Sequence, residues 1–430
     1  MLTISKGYDV KNAEYIPAGD KSISHRIAML AAMSKGSVMI RNFSQAKDCE
    51  STLKCIEALG CRIEQKNGLV EISQGKTPEG KVLLDCGNSG TTARLIGVVA
   101  SFLGIESTIV GDNSLSQRPM NRVVDPLQKF GINIKSRKGK LPIEVIPCNN
   151  LSANFNFDME IASAQVKSAM LLAGLFNKGR LTITQPAQSR DHTEVMLKNY
   201  GVDLDVQNSY IIMEGVQIPE VSGEYEVCGD FSSAAFMIAA ALVRGFELTI
   251  KRVGLNPTRV GFLDILTKMG AKIERYNVKK VDGELTGNIK VFPSKLVGVT
   301  VSKELVANAI DELPLVAVLG AFAEGTTKVI DAKELRYKES DRIKSTVTNL
   351  SKLGADIEEI GDGFTVKGIT QLKGTTLNCH KDHRIIMSMA VAALGSLGET
   401  KIEDSKWVNI SNSQFFEELK KMVPGSVTKA

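Results

Sequence analysis

Residues 350–358 read LSKLGADIE, and the phrase recurs along the chain. Its pattern returns as IEALGCRIE (56–64), LQKFGINIK (127–135), LKNYGVDLD (197–205) and LTKMGAKIE (266–274). The glycines are Gly60, Gly131, Gly201, Gly270 and Gly354, at intervals of 71, 70, 69 and 84 residues. A weaker sixth copy, LKKMVPGSV (419–427), places Gly425 another 71 residues on. Such a phrase reads as an amphipathic helix that ends on a residue free to take the left-handed cap conformation. A strand with alternating apolar positions follows. Each repeat is then an α/β module of about 70 residues, longer than the roughly 20–50 residues of solenoid units and large enough for several strands and two helices. Six modules in 430 residues predict two domains of three modules each, in a pseudo-threefold arrangement.

Composition narrows the function. Hydrophobic residues make up 43% of the chain, enough for two substantial cores. The 53 basic and 48 acidic residues are well mixed, unlike the basic stripe of a nucleic-acid binder. With 15 Phe, 7 Tyr and 1 Trp there is little material for stacking bases. Seven cysteines form no CxxC pair, and the six-residue spacing of Cys49, Cys55 and Cys61 suits neither zinc nor a helix face, so reduced thiols in a cytosolic protein are the expectation. The N-terminus, MLTISKGYDVKNAEY, lacks the apolar core of a signal peptide. Apolar runs such as AAFMIAAALV from Ala234 are too short to span a bilayer. The composition therefore predicts a cytoplasmic protein without membrane or nucleic-acid partners.

Several segments place small hydroxyl residues or glycine beside a cation at the start of an apolar helix. Lys21, Ser22, Ser24 and Arg26 open one; Asn88, Ser89, Gly90, Thr91, Thr92 and Arg94 another; Ser163, Gln165 and Lys167 a third; Asp382, His383 and Arg384 a fourth. SQRPMNRVVDPL adds Arg118 and Arg122. Free backbone N–H groups, hydroxyls and a nearby cation are what a phosphate or carboxylate needs. ELRYKESDRI (334–343) fits the same logic. Ser340 reads as the N-cap of a helix from Asp341 to Leu353, with Ile343, Val347 and Leu350 on its apolar face. Arg342 and Lys338 would then crowd a positive helix end, which makes sense if an anion arrives between them. The acid–base candidates beside these cations are Lys21, Asp311, Glu312 and Glu339; Asp311 reads slightly better as the N-cap of the helix that LPLVAVLG opens. There is no GxxxxGK[ST] loop, no GxGxxG fingerprint, no HExxH and no GxSxG, and four histidines offer no metal cluster.

DKSISHR, GNSGTTARL, RPM, SAQVKSAMLLAG, SRDHTEVML, DFSSAAF, DELPLVAVLGAFAEGTT, ELRYKESDRI and DHRIIM, in that order, resemble the signature segments of the 5-enolpyruvylshikimate-3-phosphate synthase family. The SAQVKSA and SRDHTE wording is closer to class II than to class I. The resemblance implies a two-domain inside-out α/β barrel fold of six repeated units. Residues 1–18 and 230–430 would form one domain and 19–229 the other, with helix N-termini converging on an interdomain cleft. It implies transfer of the enolpyruvyl group of phosphoenolpyruvate to the 5-hydroxyl of shikimate 3-phosphate, with release of phosphate and no cofactor or metal, by a monomer.

Carried over by motif, Lys21 would touch both substrates. Ser22, Arg26, Ser163, Gln165, Ser189, Arg190, Asp311 and Lys338 would hold shikimate 3-phosphate. Gly90, Arg118, Gln165, Arg342 and Arg384 would hold phosphoenolpyruvate with Lys21. Asp311 would accept the hydroxyl proton and Glu339 would handle C3. Glyphosate competes with phosphoenolpyruvate in this family, and Gly90, where resistant class II members often carry Ala, implies sensitivity. VNISNSQFF departs from the usual Phe-Pro after the last strand, and Ile410 stands where class I has a donor-binding lysine, leaving Lys406 as a substitute. Two other functions fit part of the pattern. The sister transferase acting on UDP-N-acetylglucosamine usually carries a cysteine where this chain reads GDNSLSQRPM. A non-catalytic anion-binding repeat protein would have no need of Asp311 and Glu339 beside the cations.

Overall fold

The computed structural model describes residues 1–66, 68–148, 151, 154–207, 209–368 and 371–429. The chain divides into two compact units. The first comprises Met1–Ala18, Gly229–Lys279 and Leu285–Ala430; the second comprises Gly19–Cys228 and Lys280–Glu284. Each unit contains three four-stranded sheets among its described residues, and all six sheets share one plan. In the sheet of Val82–Asp85, the first strand runs parallel to Ser107–Val110. That strand pairs antiparallel with Lys140–Val145, which carries Ile134–Arg137 on its outer side. Leu141, Ile143 and Val145 alternate inward, as the two-residue period of a half-buried strand requires.

Two helices complete each module, and they differ in kind. The first helices are Lys21–Met33, Gly90–Phe102 and Ala164–Gly174 in one unit, and Phe231–Arg244, Leu313–Phe322 and His383–Leu394 in the other. They are apolar nearly all round and lie in the core, as Leu313 through Ala321 and Phe231 through Leu242 illustrate. In the first unit these three helices pack on one another; in the second the Gly90 helix packs on both the others. Helices inside and sheets outside give the inside-out α/β architecture that the motifs implied. The second helices, including Lys47–Ala58, Asn121–Phe130 and Arg342–Lys352, carry the recurring phrase. Its six glycines all have positive φ, from +77° at Gly201 and Gly425 to +108° at Gly131.

The sixth module is completed from the other end of the chain. Leu2–Ile4 pairs antiparallel with both Thr400–Ile402 and Val427–Lys429, taking the position that the last strand holds in the other sheets. Two separate apolar cores result, one per unit. Among the described residues, no helix is long and apolar enough to cross a membrane.

Candidate active site

In the first unit, the helix Arg342–Lys352 begins on a cation, with Asp341 as N-cap accepting from the Lys344 amide at 3.1 Å. The cap is therefore Asp341, not Ser340; the Ser340 hydroxyl instead donates to Asp382 Oδ2 at 3.0 Å. The Arg342 side chain is only 2% exposed. Its Nε donates to Asp382 Oδ2 at 2.9 Å, Nη1 to Asp311 Oδ1 at 3.2 Å and Nη2 to Glu339 Oε2. Burial alone would lower its pKa, but the carboxylates, Asp382 foremost, raise it well above the ordinary value. Lys338 Nζ and Arg384 Nη2 each lie 3.9 Å from Asp311.

The charge run ELRYKESDRI thus splits in two. Arg336 pairs outward with Asp341, Glu359 and Asp362, while Lys338, Glu339 and Arg342 gather around Asp311. Asp311 is not a helix cap. The helix Leu313–Phe322 takes Glu312 as its N-cap residue and has no side-chain cap bond.

Two carboxylates hold the cations in place. Asp382 caps its helix by accepting the Arg384 amide at 2.9 Å while its other oxygen takes Arg342. Glu312, fully buried, accepts from Arg384 Nη1 at 3.2 Å, from Arg259 through both guanidinium nitrogens at 3.0 and 3.1 Å, and from Ser232 Oγ at 2.6 Å. Sequence reasoning quoted Asp382 and Glu312 in motifs but gave neither this task, and it missed Arg259. For Asp382 the available signal was its place beside a candidate cation, Arg384, in the chain; Glu312 has no cation adjoining it.

In the second unit, Asp20 caps the Lys21 helix and Lys21 Nζ pairs with Asp48 Oδ2 at 2.9 Å. Ser22 is half-buried, and its carbonyl accepts from Arg26 Nη1 at 2.9 Å. Arg26 is buried among hydroxyls: Nε donates to Thr193 Oγ1 and Nη2 to Ser168 Oγ, both at 2.8 Å. Desolvation lowers its pKa to about 10, opposed by Glu194 and Asp20, while nearby Arg190 adds to the lowering.

Gly90 opens its helix behind the Ser89 cap. A Cβ at Gly90 would lie 2.8 Å from Arg94 Nη1 and 3.3 Å from Arg118 Nη1, so both guanidinium groups cover this helix start. Arg118 Nη2 donates to Asn88 Oδ1 at 2.8 Å. Gln165 joins two helix starts, donating to Thr91 Oγ1 at 3.0 Å and accepting from Arg94 Nη1 at 2.9 Å. Arg94, quoted in a motif but given no role, is thus part of this constellation. Ser163 caps the next helix. The buried Ser189 donates from its amide and its hydroxyl to Gln185 Oε1, both at 3.3 Å.

None of the helices beginning at Lys21, Gly90, Ala164 and His383 has an acidic residue in its first turn. The Gly90 and Ala164 helices, capped by Ser89 and Ser163, have no carboxylate at their positive ends, which favours anionic ligands, whereas Asp20 and Asp382 cap the other two. Lys167 does not belong to this set. It is fully buried and paired with Glu194 at 2.6 Å. At the C-terminal side Ile410 is buried and Lys406 is exposed. Asn412, where Phe-Pro was expected, is buried and donates to Ser233 Oγ and Glu418 Oε2, both at 3.4 Å.

Known proteins resemble this chain along nearly its whole length. The family model described as EPSP synthase (3-phosphoshikimate 1-carboxyvinyltransferase) matches residues 8–419. A 3-phosphoshikimate 1-carboxyvinyltransferase of Desulforamulus reducens is 42% identical over 412 residues, 94% of this chain and 95% of that protein. One from Thermodesulfovibrio yellowstonii is also 42% identical, over 97% of this chain and 98% of its own length. The solved structure of EPSP synthase from Acinetobacter baumannii superposes with a TM-score of 0.88 at 34% identity, covering 100% of this chain and 99% of that one. Signature segments, six repeated modules and near full-length matches converge, and the chain belongs to the EPSP synthase family.

Proposed function

We propose that this chain transfers the enolpyruvyl group of phosphoenolpyruvate to the 5-hydroxyl of shikimate 3-phosphate and releases phosphate, in the biosynthesis of chorismate and the aromatic amino acids. One observation carries the reading: Arg342, buried, gathers Asp311 and Glu339, with Lys338 and Arg384 beside them. The reaction needs that combination. Its donor and acceptor are both anions, C3 of the donor must gain a proton while the hydroxyl attacks C2, and positive charge develops on the way to a tetrahedral intermediate. Groups that take and give protons, with fixed charge around them, lower such a barrier.

Asp311 takes the proton of the 5-hydroxyl, and Lys338 with Asp311 binds the ring hydroxyls. Glu339 handles the proton at C3, first adding it and later removing it as phosphate leaves. Arg342 and Arg384 hold phosphoenolpyruvate, with Gly90, Arg118, Gln165 and Lys21. Ser22, Arg26, Ser163, Gln165, Ser189 and Arg190 hold shikimate 3-phosphate, and Lys21 touches both substrates. Nothing in this scheme calls on a cofactor, and the chain works as a cytoplasmic monomer.

The loop GDNSLSQRPM has no cysteine, which favours this acceptor over UDP-N-acetylglucosamine. A phosphate-release assay with phosphoenolpyruvate and each acceptor in turn decides between them. Release with shikimate 3-phosphate alone is expected. Release only with the nucleotide sugar, or with neither, overturns the reading.

A further inference from the structure

Lys167 lies one turn beyond Ser163 on the helix Ala164–Gly174, and its side chain is fully buried. Its ammonium pairs with Glu194 Oε1 at 2.6 Å and donates to the Ser189 carbonyl at 3.1 Å and to Gln185 Oε1 at 3.5 Å. Gln185 Oε1 in turn accepts the amide and the hydroxyl of Ser189. The turn that carries Ser189 and Arg190 is therefore tied to one buried cation. Glu194 belongs to the helix His192–Asn199, whose Thr193 hydroxyl bonds both Arg26 and Ser168. The two helices joined by the pair thus also carry the partners of Arg26.

The pair is a poor choice for stability alone. Two charges have been taken out of water, and the second oxygen of Glu194 has no hydrogen-bond partner among the described residues. Apolar residues of similar volume at such a site are often as stable or more so.

We propose that Lys167, neutralised by Glu194, is a positioning residue that sets Ser189 and Arg190 for the 3-phosphate of the acceptor. The proposal rests on the reading of those two residues as phosphate contacts. Lys167 never meets the substrate; it fixes the carbonyl and the glutamine that hold Ser189. Its removal should weaken recognition of the phosphate and leave recognition of the ring unchanged.

The test is calorimetric binding of shikimate 3-phosphate and of shikimate, which lacks the phosphate, to the full chain. In Lys167→Met/Glu194→Leu the buried charges leave together, so the fold has no orphaned ion. The dissociation constant for shikimate 3-phosphate should rise roughly tenfold or more, a loss of the size one charge-assisted anchor supplies. That for shikimate should stay within about twofold, and a Michaelis constant for phosphoenolpyruvate near wild type should accompany it. Parallel weakening of both ligands, or none, overturns the proposal. If the double variant does not fold, Lys167→Arg decides: it keeps the charge but replaces the compact ammonium, so an unchanged ratio of the two constants overturns the proposal. A wild-type chain that turns over and shows no such ratio change in its variants sinks only this inference. A wild-type chain that releases no phosphate with shikimate 3-phosphate sinks the functional reading.

Discussion

Asp311 stands next to the N-cap residue of an apolar helix, yet its carboxylate turns to Arg342, Lys338 and Arg384 and stays 14% exposed. Three cations hold this carboxylate in place, and the residual exposure leaves it within reach of a ligand. Asp311→Asn keeps the shape and removes the base. The variant should fold and bind both substrates, while turnover falls by about 10²–10⁴-fold, the usual contribution of a general base. Near-normal phosphate release by the variant would deny Asp311 that role.

Gly90 offers a second test at this scale. Its φ is not in the left-handed region, so alanine carries no backbone strain there, and the added methyl meets only Arg94 and Arg118, both flexible ends. Glyphosate, longer than phosphoenolpyruvate, would compete with that methyl for space. Gly90→Ala should raise the glyphosate inhibition constant by roughly tenfold or more, since an extra methyl in a filled pocket costs about 1–3 kcal/mol. The Michaelis constant for phosphoenolpyruvate should move far less. Equal inhibition of wild type and variant would remove Gly90 from the donor pocket.

At the scale of elements, a buried relay joins three helices of the second unit. His25 Nδ1 meets Thr52 Oγ1 at 2.6 Å, Thr52 meets Thr92 at 2.7 Å, and Thr92 donates to the capping Ser89 hydroxyl at 2.6 Å. Burial holds the His25 pKa well below its ordinary value, and Lys21 and Arg26 push it further down. The unfolded chain takes up a proton at this histidine below about pH 6.5 and the folded chain does not, so acidification favours unfolding. In His25→Gln that slope should vanish. Between about pH 6.5 and 5 the wild type should lose stability relative to the variant, by at most about 1.4 kcal/mol per pH unit. Parallel unfolding curves across that range would refute a neutral His25. His192 works in the opposite sense. Burial lowers its pKa, but Glu284 at 2.7 Å more than offsets this, and the net shift is upward. Its contribution is complete below the unfolded value and fades as pH rises through the folded one, outside the window used for His25.

The elements also show what the sequence made legible. The modules could be read because a helix that must turn sharply into a strand needs a left-handed residue, and glycine supplies it without steric cost. The sixth sheet could not be completed that way. Leu2–Ile4 finds its partners some 400 positions along, and a three-residue strand carries no pattern that names them. Side-chain direction was the other gap. Lys167 follows Ser163 and Gln165 in the anion-binding style of the other helix starts, and only its burial shows that it turns inward. Ser340 and Asp341 are both good caps, and the choice fell to Asp341 because Asp382 claims the serine.

On the scale of the whole molecule, the chain passes between its two units at Ala18/Gly19 and Cys228/Gly229, and again on either side of Lys280–Glu284. The last excursion carries Glu284 to His192 and places Asp282 Oδ2 2.7 Å from the Glu226 amide, and no sequence signal announced it. The proposed reaction asks side chains of both units to serve one pair of substrates: Asp311, Glu339 and Arg342 from the first, Lys21, Arg26 and Gln165 from the second. With Lys338 and Arg384 the first set holds one more cation than carboxylate, and Arg118 and Arg190 add to the cations of the second, so without an anion to share their like charges oppose close approach. Shikimate 3-phosphate supplies that anion, so binding should shift the chain toward a more compact state in proportion to its preference for it. Small-angle scattering should show a smaller radius of gyration at saturating shikimate 3-phosphate than without it. The same concentration of inorganic phosphate should give less compaction, because it lacks the ring hydroxyls that Lys338 and Asp311 are proposed to bind. An unchanged radius at saturation would mean that the two sets do not depend on the acceptor to come together.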